Sequence, residues 1–157
     1  MRKNWFVWSL LVGVGIWMGA GAAFAGDNWV GTWKLNAAKS QLGANAVRAQ
    51  TLKFEATPAG IKLTSEGTDA QGKPMQGGYT SKFDGKDVPW AGNPMADVAC
   101  PKKIDDNSYE NVWKQAGKAT VTAKVKVSAD GKTLTVAQTG TDPQGAKVSS
   151  VAVYDKQ

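Results

Sequence analysis

The chain has no histidine and a single cysteine, Cys100. Those two scarcities remove whole classes of chemistry. Zinc and copper sites built on His or Cys clusters are excluded, as are Ser-His-Asp and Cys-His nucleophile arrangements. One cysteine cannot form an internal disulfide. After Ala25 there is also only one arginine, Arg48, and no run of Lys or Arg. The lysines stand singly along the chain, as on solvated strand faces, so no nucleic-acid surface is expected. The Asp residues at 69, 87, 105, 106 and 142 match no EF-hand or repeat-in-toxin spacing, so no metal or other cofactor is expected.

The segment 1–25 is of another kind. Arg2 and Lys3 give a positive start, Trp5 to Met18 is almost wholly apolar, and small residues lead to Ala23-Phe24-Ala25. This is the pattern of a secretory signal peptide cut before Gly26, with an uncleaved membrane anchor as the alternative. Cleavage removes two positive charges from a net charge of +6. The reading is therefore a signal over 1–25 and a single domain over 26–157, periplasmic or secreted. No stable membrane insertion is expected after cleavage, and the domain is expected to be a monomer.

The remaining chain alternates. Leu52-Lys53-Phe54-Glu55-Ala56 and Ile61-Lys62-Leu63 set apolar against charged residues. Ala119, Val121, Ala123, Val125 and Val127 fall on one face of a longer run, with Thr120, Thr122, Lys124 and Lys126 on the other. Period two with one dry and one wet face is the antiparallel pattern. Turn residues break the runs, as at Asp69-Ala70-Gln71-Gly72, Asp84-Gly85, Asp130-Gly131 and Asp142-Pro143-Gln144-Gly145. Strands are expected near 29–36, 50–56, 60–67, 76–84, 95–103, 107–115, 117–128, 132–140 and 146–155. The fold class is all-β: an antiparallel up-and-down meander of about eight or nine strands closing into a barrel. At most one short helix fits, near 37–48.

An internal repeat sharpens the reading. Gly67-Thr68-Asp69-Ala70-Gln71-Gly72 returns as Gly140-Thr141-Asp142-Pro143-Gln144-Gly145. The same offset, without gaps, aligns Leu52 with Val125, Phe54 with Val127, Ile61 with Leu134, Leu63 with Val136 and Met75 with Val148. Two occurrences at so long a period suit two halves of one barrel rather than a solenoid.

The segment Asn28-Trp29-Val30-Gly31-Thr32-Trp33-Lys34-Leu35 resembles the G-x-W first strand of the calycins, the superfamily of lipocalins and fatty-acid-binding proteins. Val151-Ala152-Val153-Tyr154-Asp155-Lys156 is similar to the R-x-Y-E-K last strand of fatty-acid-binding proteins. Gly31 to Ser40 also resembles the opening of bacterial exported lipocalin-like proteins that begin G-T-W-K-L-N-x-A-K-S. The resemblance implies that Trp33 plugs the closed end of the barrel, its indole N–H bonded there, and that Gly31 lets another backbone approach closely. The sequence departs from the family where fatty-acid-binding proteins place a carboxylate-holding Arg, because Ala152 stands there. Residues 37–49 are also too few for a two-helix lid.

Small residues on the late strands face Phe54, Ile61, Leu63, Tyr79 and Phe83 on the early ones, a pairing that either fills a barrel or leaves a cavity. Met75, Trp90, Met95 and Trp113 are candidates to rim a mouth. Trp90 draws notice in the loop Val88-Pro89-Trp90-Ala91-Gly92-Asn93-Pro94, where an exposed indole would be costly without a partner. The candidate ligand-binding residues are thus Tyr79, Phe83, Trp90, Met95, Trp113 and Tyr154. Gly31 and Trp33 are the structural signature. Cys100 is either buried and inert or a site of intermolecular pairing, with Lys102 and Lys103 able to lower its pKa if it is exposed. No residue set suggests catalysis: Asp97 and Glu110 could pair across strands, but their placement is open. The function expected is binding of a small hydrophobic molecule. The alternative is a ligand-free barrel acting by surface protein contact through the Trp90 loop, as an exported inhibitor or envelope-stress protein.

Overall fold

The computed structural model describes residues 27–157. The signal-peptide reading lies outside these residues. The strands are β1 (Gly31–Leu35), β2 (Arg48–Thr57), β3 (Gly60–Thr68), β4 (Pro74–Ser81), β5 (Val88–Pro89), β6 (Val98–Asp105), β7 (Ser108–Gln115), β8 (Lys118–Val127), β9 (Thr133–Thr141) and β10 (Lys147–Lys156). They form one antiparallel sheet in the order β4-β3-β2-β1-β10-β9-β8-β7-β6-β5. Chain neighbours pair except β4 with β5, and β1 joins β10 with Trp33 opposite Lys156 and Leu35 opposite Tyr154.

The sheet rolls into a nearly closed barrel. Its seam is one isolated bridge, Gly78 to Ala91, made by Gly78 N–H to the Ala91 carbonyl at 3.0 Å and the return bond at 3.3 Å. Glycines make this approach feasible. A methyl group on Gly77 would run into the Ala91 carbonyl oxygen, and one on Gly92 into that of Gln76. Gly92 also holds φ +75, a left-handed conformation that costs other L-residues strain.

The alternation delivers the core. Leu52, Phe54, Ile61, Leu63, Val121, Ala123, Val125, Val127, Leu134 and Val136 are buried, while Lys53, Lys62, Lys124 and Lys126 are exposed. The repeat is structural as well. The offset that carries Gly67 onto Gly140 carries both bounds of β3 onto those of β9, and the start of β4 onto the start of β10. Both repeat turns have the same bonding. Asp69 Oδ1 accepts from the N–H groups of Gln71 and Lys73, each at 2.9 Å. Asp142 Oδ1 accepts from those of Gln144 and Ala146 at 3.0 and 2.8 Å. A short carboxylate bonding its own turn is what selects Asp at both positions.

One expectation needs correction and two become more definite. Ala119 is exposed, not inward: the β7–β8 register slips where Trp113 faces Val121 but Lys114 faces Ala119, so Thr120 is an extra residue and the phase flips. Residues 37–48 hold only the single 3₁₀ turn Ala37–Lys39. Its Asn36 side chain caps Lys39 N–H, and Gln41 then bridges to Val151. The described residues form ten strands, the two-residue strand Val88–Pro89 joining those expected.

Aromatic packing closes one end. Trp29 and Trp33 are wholly buried, and the Trp33 indole N–H donates to the Trp29 carbonyl at 2.7 Å. The Lys156 ammonium stands 5.1 Å from the Trp33 ring centroid. Gly31 has φ +136 and lies under the Lys156 side chain, so backbone angle and a side-chain neighbour, rather than a backbone approach, make glycine fit there. Trp29 packs on Phe83 and Tyr109 at centroid distances of 5.8 and 5.4 Å, and Lys103 reaches both Asp27 and Asp106 at the same end.

Candidate functional site

The opposite end is open, ringed by the β1–β2, β3–β4, β5–β6 and β9–β10 connections. Between the turns at Asp69–Gln71 and Asp142–Gln144, a groove of about 420 Å³ is bounded by Asn45, Val47, Pro94 and Met95. Val47 also lines a second space, inside the barrel. That interior cavity has a volume of about 50 Å³. On this measure it has room for about three or four waters, well short of the ~300 Å³ or more of an ordinary ligand site.

The cavity lies at the level where the repeat leaves polar residues on the inward face. Ser65 follows Ile61 and Leu63 in phase on β3, and Gln138 follows Leu134 and Val136 on β9. The two are repeat partners, and both are buried. Asn111 lies between Tyr109 and Trp113 in the inward row of β7, also buried. The rest of the lining is mostly apolar or aromatic, including Leu52, Leu63, Val125 and Val136.

Some of these polar groups are satisfied. Asn111 Oδ1 accepts from Cys100 N–H at 3.0 Å, and its Nδ2 donates to the Tyr79 hydroxyl at 3.3 Å. The Tyr154 hydroxyl donates to the Ala49 carbonyl at 3.0 Å. Others are not. The indole N–H of Trp90, that of Trp113 and the amide oxygen of Gln138 are buried with no protein partner, and all three side chains line the cavity. Ser150, directly opposite Gln138 on β10, is also unpartnered at its hydroxyl. Leaving a buried donor or acceptor unpaired costs about 1–3 kcal/mol.

Charge is missing from this space. No Asp, Glu, Lys or Arg lines it. Arg48 is exposed, and Ala152 is buried where the resemblance would place a guanidinium. Burial pushes the phenols of Tyr79, Tyr109 and Tyr154 above the ordinary tyrosine range, so all three stay neutral at physiological pH.

Of the residues singled out from sequence, Tyr79, Trp90, Trp113 and Tyr154 come together around this one cavity, and Met75 lines it too. Met95 is buried at the mouth groove. Phe83 is elsewhere: it takes φ 56 and packs edge-on against Tyr109 at 4.7 Å in the closed-end cluster. Trp90 is buried, not an exposed loop aromatic. It lies edge-to-face with Tyr79 at 5.1 Å and with Trp113 at 5.0 Å. The polar contributors Ser65, Asn111 and Gln138 escaped the sequence reading. Their signal was present, because each occupies an inward-phase position where an apolar residue was due.

The remaining candidates are accounted for locally. Cys100 is half-buried, its thiol donates to the Gly85 carbonyl at 3.0 Å, and burial raises its pKa, with the nearby Asp87 adding to the rise. Lys102 and Lys103 therefore do not activate it. Asp97 does not pair with Glu110; its carboxylate accepts from Ala116 N–H at 3.1 Å. Among the described residues no cluster of His, Cys, Asp or Glu could hold a metal ion, and no helix is long and apolar enough to cross a membrane. No family model matches the chain, and no curated protein matches it in sequence.

Proposed function

We propose that the protein is an exported, calycin-like barrel that binds a small, mainly apolar molecule in its interior cavity. The observation that carries this reading is the lining: apolar walls with three buried polar groups, on Trp90, Trp113 and Gln138, that the protein leaves unpaired. A barrel selected only for stability would gain by filling or pairing these positions. The calycin assignment is supported by the single antiparallel meander, the Gly31-Thr32-Trp33 opening and the bonded Trp33 indole beneath Lys156. Export is supported by the character of residues 1–25.

At about 50 Å³ the cavity accepts only a ligand of a few heavy atoms. Anything larger requires movement at the mouth or at the seam, where one bridge holds β4 to the Trp90 segment. The surface-contact alternative loses its proposed element, since Trp90 is buried. It regains weight only if the interior binds nothing.

Titration of the protein isolated after export with a graded series of apolar probes, from butan-2-one and benzene up to anilinonaphthalene and retinoid, following tryptophan emission, tests this reading. Saturable change at one site per chain is expected, since Trp90 and Trp113 line the cavity. Absence of saturation across the series overturns the binding reading and leaves the barrel intact.

A further inference from the structure

Resting on the binding reading above, we infer that the ligand is an uncharged molecule with a carbonyl-type oxygen, held by the indole N–H of Trp90 or Trp113, rather than a fatty acid or another ion. Charge, the sign of the unpaired groups and the polar group on β9 all point this way.

Charge comes first. A carboxylate or ammonium brought into a site of low dielectric is tolerated only when paired or densely hydrogen-bonded. Among the described residues, the only ionisable side chains lining this cavity are the neutral tyrosines Tyr79, Tyr109 and Tyr154. Arg48 is exposed and position 152 is Ala. Lys156 stands over Trp33, Lys103 pairs with Asp27 and Asp106, and Lys114 with Asp87 at 2.7 Å, while Lys73, Lys118 and Lys147 near the open end are exposed and do not line the cavity. An ionised ligand would therefore lose its hydration without receiving a counter-charge.

The unpaired groups have a definite sign. An indole N–H is a donor only. Trp90 is 8% exposed and Trp113 4%, and neither N–H has a partner. The nearby polar side chains are already engaged, the Tyr154 hydroxyl with Ala49 and the Asn111 amide with Cys100 and Tyr79. The group missing from this corner is an acceptor, and a ketone, ester or amide oxygen supplies it. Such an oxygen carries no formal charge to desolvate.

The β9 side of the cavity adds a complement. Gln138 presents an unpaired acceptor oxygen, with the Ser150 hydroxyl directly across the β9–β10 pair. The site thus has donors on the Trp90–Trp113 side and an acceptor on the β9 side. A ligand with a carbonyl at one end and a hydroxyl or N–H at the other satisfies both. An alkane satisfies neither.

A matched six-carbon series separates the possibilities: hexan-2-one, hexanamide, hexanoate, hexylamine and hexane. Binding to the protein isolated after export is read from the ¹⁵N-indole resonances, assigned with Trp90→Phe and Trp113→Phe. These substitutions keep an aromatic ring and delete the N–H. The expected result is that ketone and amide bind at least tenfold tighter than hexanoate and hexylamine. Either or both of the Trp90 and Trp113 indole resonances should move as an accepted hydrogen bond forms. The Phe variant lacking the engaged N–H should lose roughly tenfold affinity for the ketone and none for hexane, as deletion of one net hydrogen bond of about 1.4 kcal/mol requires. Equal or tighter binding of hexanoate or hexylamine overturns the inference while leaving the binding reading standing. Binding of the ketone with both indole resonances unmoved also overturns it. No binding by any member fails the reading on which it rests, and the inference with it.

Discussion

The seam makes a quantitative prediction about two glycines that share a backbone conformation and differ only in their neighbours. Gly72 and Gly92 have φ of +80 and +75. A Cβ at Gly72 meets nothing within 4 Å, whereas one at Gly92 collides with the Gln76 backbone. Gly72→Ala therefore carries only the left-handed strain, about 1–2 kcal/mol. Gly92→Ala carries the same strain and must also push the Trp90–Asn93 segment off β4. That breaks the two bonds between Gly78 and Ala91, each of roughly 0.5–1.5 kcal/mol, and loosens the packing of Trp90 against Tyr79. The expected total for Gly92→Ala is about 2–5 kcal/mol, against ~5–15 kcal/mol for a domain of this size. Urea titration followed by far-UV circular dichroism gives both values. Hydrogen exchange at the Gly78 and Ala91 amides should accelerate in Gly92→Ala and stay unchanged in Gly72→Ala. If the two variants unfold at the same urea concentration, the close approach across the seam is not a feature of the fold.

Other expectations follow from the same geometry. Trp33→Ala, in a wholly buried position with its N–H bonded, should cost about 3–5 kcal/mol in a urea titration, and a loss below about 1 kcal/mol would remove Trp33 from the core. Asp69→Ala and Asp142→Ala, each deleting two turn bonds of the same pattern, should cost similar amounts of roughly 1–2 kcal/mol; clearly unequal losses would break the structural equivalence of the repeat. The phenols of all three tyrosines are raised by burial. Stability should therefore be unaffected by them below the ordinary tyrosine value of 10 and fall as pH rises above it, because only the unfolded chain ionises there. Phenolate absorbance should then appear together with unfolding, and a tyrosine ionising in the folded protein would contradict its burial. Asp87 and Asp155 are held below the ordinary aspartate value, by Lys114 and by Asn36 with Lys39. Their contribution should persist above the ordinary aspartate range and fade as acid titration passes through the lowered values; stability that rises on acidification would refute both pairings.

What the sequence revealed and what it concealed divide along physical lines. Strand phase was readable wherever alternation ran unbroken, as from Val121 to Val127 and from Ile61 to Leu63. It failed at Ala119, because the extra residue at Thr120 inverts the phase and leaves no compositional mark. The repeat turns were readable because an Asp that bonds its own backbone fixes the hairpin locally. Closure was expected from the strand count, but the position of the seam was not legible, since it rests on Gly77, Gly78 and Gly92 meeting across separate segments. Trp90 illustrates the limit. Its loop context suggested exposure, yet the two-residue strand β5 carries it inward onto Tyr79 and Trp113. The cavity's aromatic members were legible in part. Ser65, Asn111 and Gln138 were not, because a polar side chain in a strand looks solvent-facing until its neighbours fix the inward phase.

On the proposed function, the interior of the barrel, and not its surface, takes the ligand. Ala123 is buried at the cavity wall on β8. Ala123→Leu adds three carbons at the wall of this small cavity and so takes up ligand space without touching the exterior. Isothermal titration of this variant and the wild-type protein with the same probe is the most direct measurement. The account predicts a folded variant, with circular dichroism unchanged, that has lost saturable binding. Undiminished affinity in the folded Ala123→Leu variant would place the ligand outside the barrel and contradict the account.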